Sequence, residues 1–227
     1  MPGCLGAISS DTYMNATKNI LPSIINGWNR KGWVEDIHYV TNQKPPNHFK
    51  KPYKPVLNWQ HTVATHTGTV FKVVSQDRPS IGAGDSFQHE FGDEAKYLNK
   101  QKLDKTSFAV RGEYVRFGHS PFFGGATYTT DMPNVNHGDH DWILDMADNM
   151  DKDKIRDLVK LARTVNEVRR EYVTAKHVFE NNKSSLGLKR KMEVALKKMK
   201  RWDERFRKFR MDTTFFYIVT SLSLIHI

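Results

Sequence analysis

Asp93 and Glu94 stand side by side in the stretch Phe87–Leu98, which reads FQHEFGDEAKYL. Two adjacent carboxylates after a short mixed run and before a helix start suit one chemistry in particular. The first acid orders Mg²⁺, usually through water. The second orients and polarises a water for in-line attack on a terminal phosphate. That chemistry needs the pair at the carboxyl edge of a sheet, where open α/β folds bind ligands. The competing reading is local: Asp93 caps a helix that starts at Ala95, and Glu94 complements its dipole. Gln88, His89 and Glu90 also make the preceding strand more polar than the apolar run a buried central strand prefers.

Phosphoanhydride chemistry further requires a group that grips phosphates. The pattern G-x-x-x-x-G-K-[ST] is the usual one, and no Gly-Lys dipeptide occurs anywhere in the 227 residues. SIGAGDS (80–86) is glycine-rich but has no lysine, and reads as a loop. His137, Asp139, His140 and Asp141 in NHGDHDW offer imidazole and carboxylate to a metal ion. They lie within five residues of loop sequence, without the i,i+4 spacing that converges ligands, and loops collect such residues anyway, so ordinary loop polarity is the favoured reading. His61 and His66 have no nucleophile partner at a useful spacing, and only composition speaks for Ser75 or Ser80 as a nucleophile. The third constellation is KRKMEVALKKMKRWDERFRKFR (189–210), with 11 Lys and Arg against 3 Asp and Glu. Lys189, Arg190, Lys191, Lys197, Lys198, Lys200 and Arg201 would neutralise phosphates without reading sequence. The alternative is a solvated helical face.

The elements that must position these groups follow from periodicity. A strand is expected around Leu5–Ser9, then a helix capped by Ser10 or Asp11. Its apolar stripe is Ile20, Leu21, Ile24, Ile25 and Trp28, and Pro22 should dent or divide it. Gly32–Asn58 is irregular, and its proline- and lysine-rich part reads as a loop or a hairpin excursion. HTVATHTGTVFKVVSQD reads as a β-hairpin, with strands near 61–65 and 69–75 around His66–Gly68. FQHEFGD is a short strand, EAKYLNKQKLDK a helix, and Ala126–Thr130 a strand stopped by Pro133. Strands separated by helices imply an α/β fold with a central sheet. Beyond NHGDHDW, Ile155, Leu158, Ala162, Val165, Val168, Tyr172 and Phe179 form one helical stripe. A second helix follows NNKSSLG. In it Met192, Met199 and Phe206 recur every seven residues, as do Ala195, Trp202 and Phe209, which predicts an antiparallel helical hairpin.

Composition bounds the rest. Hydrophobic residues make up 38% of the chain, so a packed core is expected. A single cysteine, Cys4, allows no internal disulfide and no thiolate zinc cluster. There is no signal-peptide pattern. The apolar run Phe215–Ile227 is only 13 residues long, where a membrane span needs about 20, so no membrane partner is expected. The net charge of +10 is uneven: residues 1–150 sum to zero and residues 151–212 carry all of it. Such a segment is a footprint of polyanion contact or of a very soluble helical face.

Taken in order, MPGCLGAISSDTYMNATKNILPSIINGW, SQDRPSIGAGDS, GDEAKYLNKQKL, GGATYTTDMP and the basic hairpin resemble the ATPase part of phage terminase large subunits, over about Met1 to Asp212. The resemblance implies an incomplete P-loop (RecA/ASCE-like) ATPase core over residues 1–150 that lacks its phosphate loop. The basic hairpin then spans 151–212, and a truncated or artefactual tail spans 213–227. It implies that Met1 is internal to a longer protein whose phosphate loop lies upstream and whose nuclease domain follows the hairpin. In the intact parent, ATP with Mg²⁺ would drive double-stranded DNA into a capsid. Asp93 then looks like the Mg²⁺-ordering acid and Glu94 like the catalytic glutamate. Thr129, Thr130 and Asp131 occupy the place of the coupling motif that links hydrolysis to movement. Arg78 matches no defined role. The implied partners are double-stranded DNA, a portal, a small terminase subunit and further copies in a ring, within the cytoplasm of a phage- or prophage-bearing host. SLSLIHI at the end also resembles a translated sequencing adapter, where a genuine apolar strand is the alternative. Two rival readings need no acid pair: a non-catalytic DNA-binding or scaffolding protein built on the basic hairpin, and a metal hydrolase built on His137, Asp139 and His140.

Overall fold

Leu5–Ser10 (β1) is buried at every residue because strands flank it on both sides and side chains cover both faces. The computed structural model describes residues 1–77, 85–107, 110, 112–120, 122–211 and 213–219. Arg78, residues 80–84 of the glycine-rich loop, Asp212 and the 221–227 tail therefore lie outside the described residues. The chain divides into two compact units, Met1–Ile143 and Leu144–Ile227.

In the first unit, β1 leads into a continuous helical rod of Tyr13–Asn15 (α1), a π turn at Ala16–Ile20 and Leu21–Arg30 (α2). The cap is Thr12, whose side chain accepts from the Asn15 amide at 3.1 Å, rather than Ser10 or Asp11. Asp11 instead accepts from the Asn15 side chain at 2.7 Å. Pro22 does not divide the rod. It sits in the first turn of α2, and the turn before it takes π geometry, which accommodates the missing N–H. Tyr39–Thr41 (β2) lies inside the stretch that reads as irregular. Its three residues are too few for a periodic signal, and its pairing with the next strand defines it. Thr62–Thr65 (β3) and Val70–Ser75 (β4) form the expected antiparallel hairpin. His89–Gly92 (β5) and Gly125–Tyr128 (β6) complete a six-stranded sheet of order β2-β3-β4-β1-β5-β6. The strands β4, β1, β5 and β6 run parallel, so their carboxyl ends share one edge.

Side-chain alternation sends Leu5 and Ala7 to one face, with Val40, Phe49, Val70 and Phe87. Ile8 goes to the other, with Ala16, Ile20, Leu21, Val63 and Val73 beneath the rod. The helix expected from Glu94 starts later. A 3-10 turn covers Ala95–Tyr97, and Lys100–Ser107 (α3) follows. Two tertiary contacts explain the delay: the Ala95 amide donates to the Thr129 carbonyl at 3.0 Å, as a continued strand would, and Asn99 caps the real helix through the Lys102 amide at 3.1 Å. Tyr114–Phe117 (α4) precedes β6. The strand expected at Ala126–Thr130 begins one residue earlier and ends at Tyr128, leaving Thr129 and Thr130 beyond its end.

The second unit is built on the expected hairpin, Lys152–Asn181 (α5) and Leu186–Arg210 (α6). Asp151 and Ser185 cap them. Val165 and Val168 are buried in the seam, and Met192, Met199, Trp202 and Phe206 are half-buried along it. Among the described residues no helix is long and apolar enough to cross a membrane.

Candidate functional site

The polar strand β5 is an inner strand because each of its buried polar side chains finds a partner. Gln88, just before it, accepts from the Leu5 amide at 2.6 Å and donates to the Tyr53 hydroxyl at 3.2 Å. His89 Nδ1 faces the Phe122 carbonyl at 2.5 Å, and a carbonyl only accepts, so this nitrogen carries the proton. His89 Nε2 then accepts from Thr127 Oγ1 at 3.0 Å. Glu90 is fully buried and accepts from the Ser9 hydroxyl, while its other oxygen has no hydrogen-bond partner. Burial pushes its carboxyl above the usual range, against the Ser9 and Tyr128 hydroxyls that pull it back. The same burial, with Glu90 beside it, raises the Tyr128 phenol. Gly92 makes room for that phenol, since a Cβ there would stand 2.5 Å from Tyr128 Cδ1.

Past Gly92 the chain reaches the shared carboxyl edge, and the acid pair meets the threonine segment. Asp93 Oδ1 accepts from Thr129 Oγ1 at 2.6 Å and from the Glu94 amide at 3.1 Å. Asp93 is thus held by the neighbouring strand end and caps no α-helix. Glu94 takes a left-handed backbone with φ 54°. Its Oε2 is buried without a hydrogen bond, and the Lys96 ammonium lies 3.5 Å away. Lys96 Nζ also approaches Asp131 at 3.8 Å, and the Lys96 amide donates to Thr130 Oγ1 at 3.3 Å. Partial burial alone would lower the Lys96 ammonium, but Glu94, Tyr97, Asp131 and Asp139 outweigh it and hold the group above its ordinary value. Asp93, Glu94, Thr129, Thr130 and Asp131 are therefore one constellation, tied together by a lysine that the sequence reading did not single out. Lys96 sits two residues after Glu94, a spacing with no meaning until the 3-10 turn folds it back.

Beside the pair, the sheet face that the rod leaves uncovered forms a cavity of about 360 Å³. Ile8, Ile24, Trp28, Phe71, Phe91 and Thr127 line it, and Asp93 and Thr129 bring it to the carboxyl edge. Among the described residues β6 pairs only with β5, and Ala126 and Thr127 are exposed along it.

The other candidates fall elsewhere. Among the described residues no group of three or more His, Cys, Asp or Glu side chains is placed to hold a metal ion. His137 instead faces the Asn134 side chain, and Asp139 accepts from the Asn134 amide at 2.9 Å, as loop residues do. Lys189, Arg190, Lys191, Lys197, Lys200 and Arg201 are exposed on α6. Lys198 turns toward α5 and pairs with Glu171 at 2.7 Å.

No family model matches the sequence, and no curated protein matches it. Among solved structures, the chain is similar to the large terminase from a thermophilic bacteriophage, at 9% identity and a TM-score of 0.37 over 59% of this chain and 27% of that one. The same terminase in complex with ADP gives 9% and 0.36 over 57% of this chain and 26% of that one. The large terminase ATPase domain of a Thermus phage gives 17% and 0.34, over 59% of this chain and 49% of that domain. The chain thus spans between about a quarter and a half of the structures it matches. At these TM-scores the likeness carries no weight beside the geometry of the carboxyl edge.

Proposed function

We propose that this chain is part of a viral DNA-packaging motor of the terminase large-subunit type. In that motor ATP hydrolysis at the carboxyl edge of the sheet drives movement of double-stranded DNA. The observation that carries the reading is the Asp93–Thr129 hydrogen bond, because it joins the acid pair to the segment that would report on the phosphate.

The oxygen donors fit the ion that accompanies the nucleotide. Asp93 has one carboxylate oxygen engaged by Thr129 and the other open to a hydrated Mg²⁺, a hard cation that keeps most of its waters. Glu94 Oε2 is turned inward toward Lys96, and the rest of its side chain is partly exposed at the edge, where the carboxylate would accept a hydrogen bond from the attacking water. The Lys96 ammonium, 3.5 Å from Glu94, holds that side chain in place by charge. A shift of Glu94 on hydrolysis would alter the pull on Asp131, and Thr130 is held by the same residue. The triphosphate grip itself is absent from the sequence pattern. The edge of β6 that has no partner among the described residues, and the apolar face beside it, fit a strand and a helix that would bring it.

Asp93→Asn tests the metal assignment in a polypeptide that carries both this chain and a phosphate-gripping segment. The Mg²⁺ concentration giving half-maximal ATP hydrolysis should rise by roughly tenfold, the loss expected for an outer-sphere partner of a metal. An unchanged Mg²⁺ requirement removes Asp93 from the site.

A further inference from the structure

The two helices of the hairpin treat charge differently. Lys152–Asn181 carries eight Lys and Arg against five Asp and Glu, and Leu186–Arg210 carries 11 against 3. On α5 three of the eight cations are answered within one turn, Arg156–Asp153 at 2.8 Å, Lys160–Asp157 at 3.0 Å and Lys176–Glu180 at 3.7 Å. Further pairs join the helices, Arg169–Asp203 and Lys198–Glu171. Toward the end of α6, Lys208 meets Glu204 at 3.1 Å, and Arg205 lies over the Trp202 ring. Lys189, Arg190, Lys191, Lys197, Lys200 and Arg201 are exposed and have no ion pair among the described residues. The outward face of residues 189–201 sets one acid, Glu193, against five cations, a stronger bias than a face that needs only solvation requires.

Lys189, Arg190, Lys197, Lys200 and Arg201 occupy one side of the helix with Glu193 among them, and Lys191 lies on the flank toward the seam. Arg190, Lys197 and Arg201 follow each other at seven and four residues, so they share a row, and Lys189 and Lys200 form a parallel row eleven residues long. Met192, Met199 and Phe206 occupy the opposite, half-buried side. From Arg190 to Arg201 the rise is about 16 Å, which spans roughly five steps of a nucleic-acid strand at 3.4 Å each.

We infer that the outward face of residues 189–201 is a binding track for the phosphate backbone of a duplex nucleic acid, read without regard to sequence. Single strands are disfavoured because they bind by stacking bases on aromatic side chains. The aromatic residues of α6 (Trp202, Phe206 and Phe209) are half-buried and lie outside the track. An acidic protein surface is disfavoured because protein interfaces are depleted of lysine and built around an apolar centre, and this face offers only Val194. The track goes beyond the hydrolytic reading and does not depend on it, since it uses neither Asp93 nor Glu94.

Fluorescence anisotropy of a labelled mixed-sequence duplex DNA, titrated with the full chain over a series of salt concentrations, tests the inference. Affinity should fall steeply with salt. The double variant Lys197→Glu/Arg201→Glu should bind at least tenfold more weakly and lose about two from the log–log salt slope, close to 0.9 for each phosphate contact removed. Arg156→Glu/Lys160→Glu on α5 changes the net charge equally but alters cations already neutralised, and should bind within about threefold of the parent. Circular dichroism checks that both variants keep their helices. Duplex RNA should compete if backbone charge alone is recognised, and its failure to compete restricts the ligand to B-form DNA. Equal losses in the two variants, equal competition by single-stranded DNA, or equal competition by polyglutamate each overturn the track. Asp93→Asn/Glu94→Gln should bind the duplex as the parent does, so a fault in the hydrolytic reading leaves this result untouched.

Discussion

Glu94 adopts a φ of 54° at the tip of an inner strand, a conformation that costs a residue with a Cβ about 1–2 kcal/mol and costs glycine almost nothing. Glu94→Ala and Glu94→Gly lose the same carboxylate, so they separate backbone strain from side-chain contacts. The glycine variant should be more stable by about 1 kcal/mol in urea unfolding, and equal stabilities would mean that the left-handed turn is not populated. Glu90 tests the buried end of the same strand. Its carboxyl is raised in the folded chain, so its favourable contribution is complete below the ordinary carboxylate pKa of about 4 and is lost as pH climbs through the raised value. Glu90→Gln should flatten the fall in Tm from mildly acidic toward neutral pH, and a variant as pH-sensitive as the parent refutes the assignment. At this scale the sequence was half legible. Residue type singles out Asp93 and Glu94, and the resemblance adds Thr129, Thr130 and Asp131. Lys96 was not legible, because its link to Glu94 and Asp131 exists only once a 3-10 turn follows a left-handed residue.

Elements with a long period could be read directly. The hairpin β3–β4 and the seven-residue seam of α6 stand where alternation and heptads put them. Elements set by partners could not. The three residues of β2 are a strand only because β3 lies beside them, and α3 starts at Lys100 because the Ala95 amide is drawn to Thr129. A reciprocal pair fixes the approach to that helix: Gln76 donates to the Asn99 carbonyl at 3.0 Å and accepts from its amide at 2.8 Å. The sheet also shows an asymmetry that hydrogen exchange can measure. β1 is paired on both sides and buried throughout, whereas β6 is paired on one side only among the described residues. The amides of Gly6–Ser10 should exchange near the global unfolding limit, and the outward amides of β6 should exchange orders of magnitude faster. Equal protection of the two strands would show that something already covers the β6 edge.

Over the whole molecule, chemistry and charge are kept apart. Residues 1–150 are electrically neutral and hold the acid pair, and residues 151–212 hold the entire excess of +10. That separation suits a motor in which one unit hydrolyses a nucleotide and another part touches a polyanion. The proposed function requires Glu94 to activate water. The most direct test is ATP turnover by Glu94→Gln in a polypeptide that joins this chain to a phosphate-gripping segment. The substitution keeps size and hydrogen bonding but removes the base. Turnover should drop on the order of 10²–10⁴-fold, the usual contribution of a general base, while ATP binding persists. Hydrolysis at the parent's rate would contradict it.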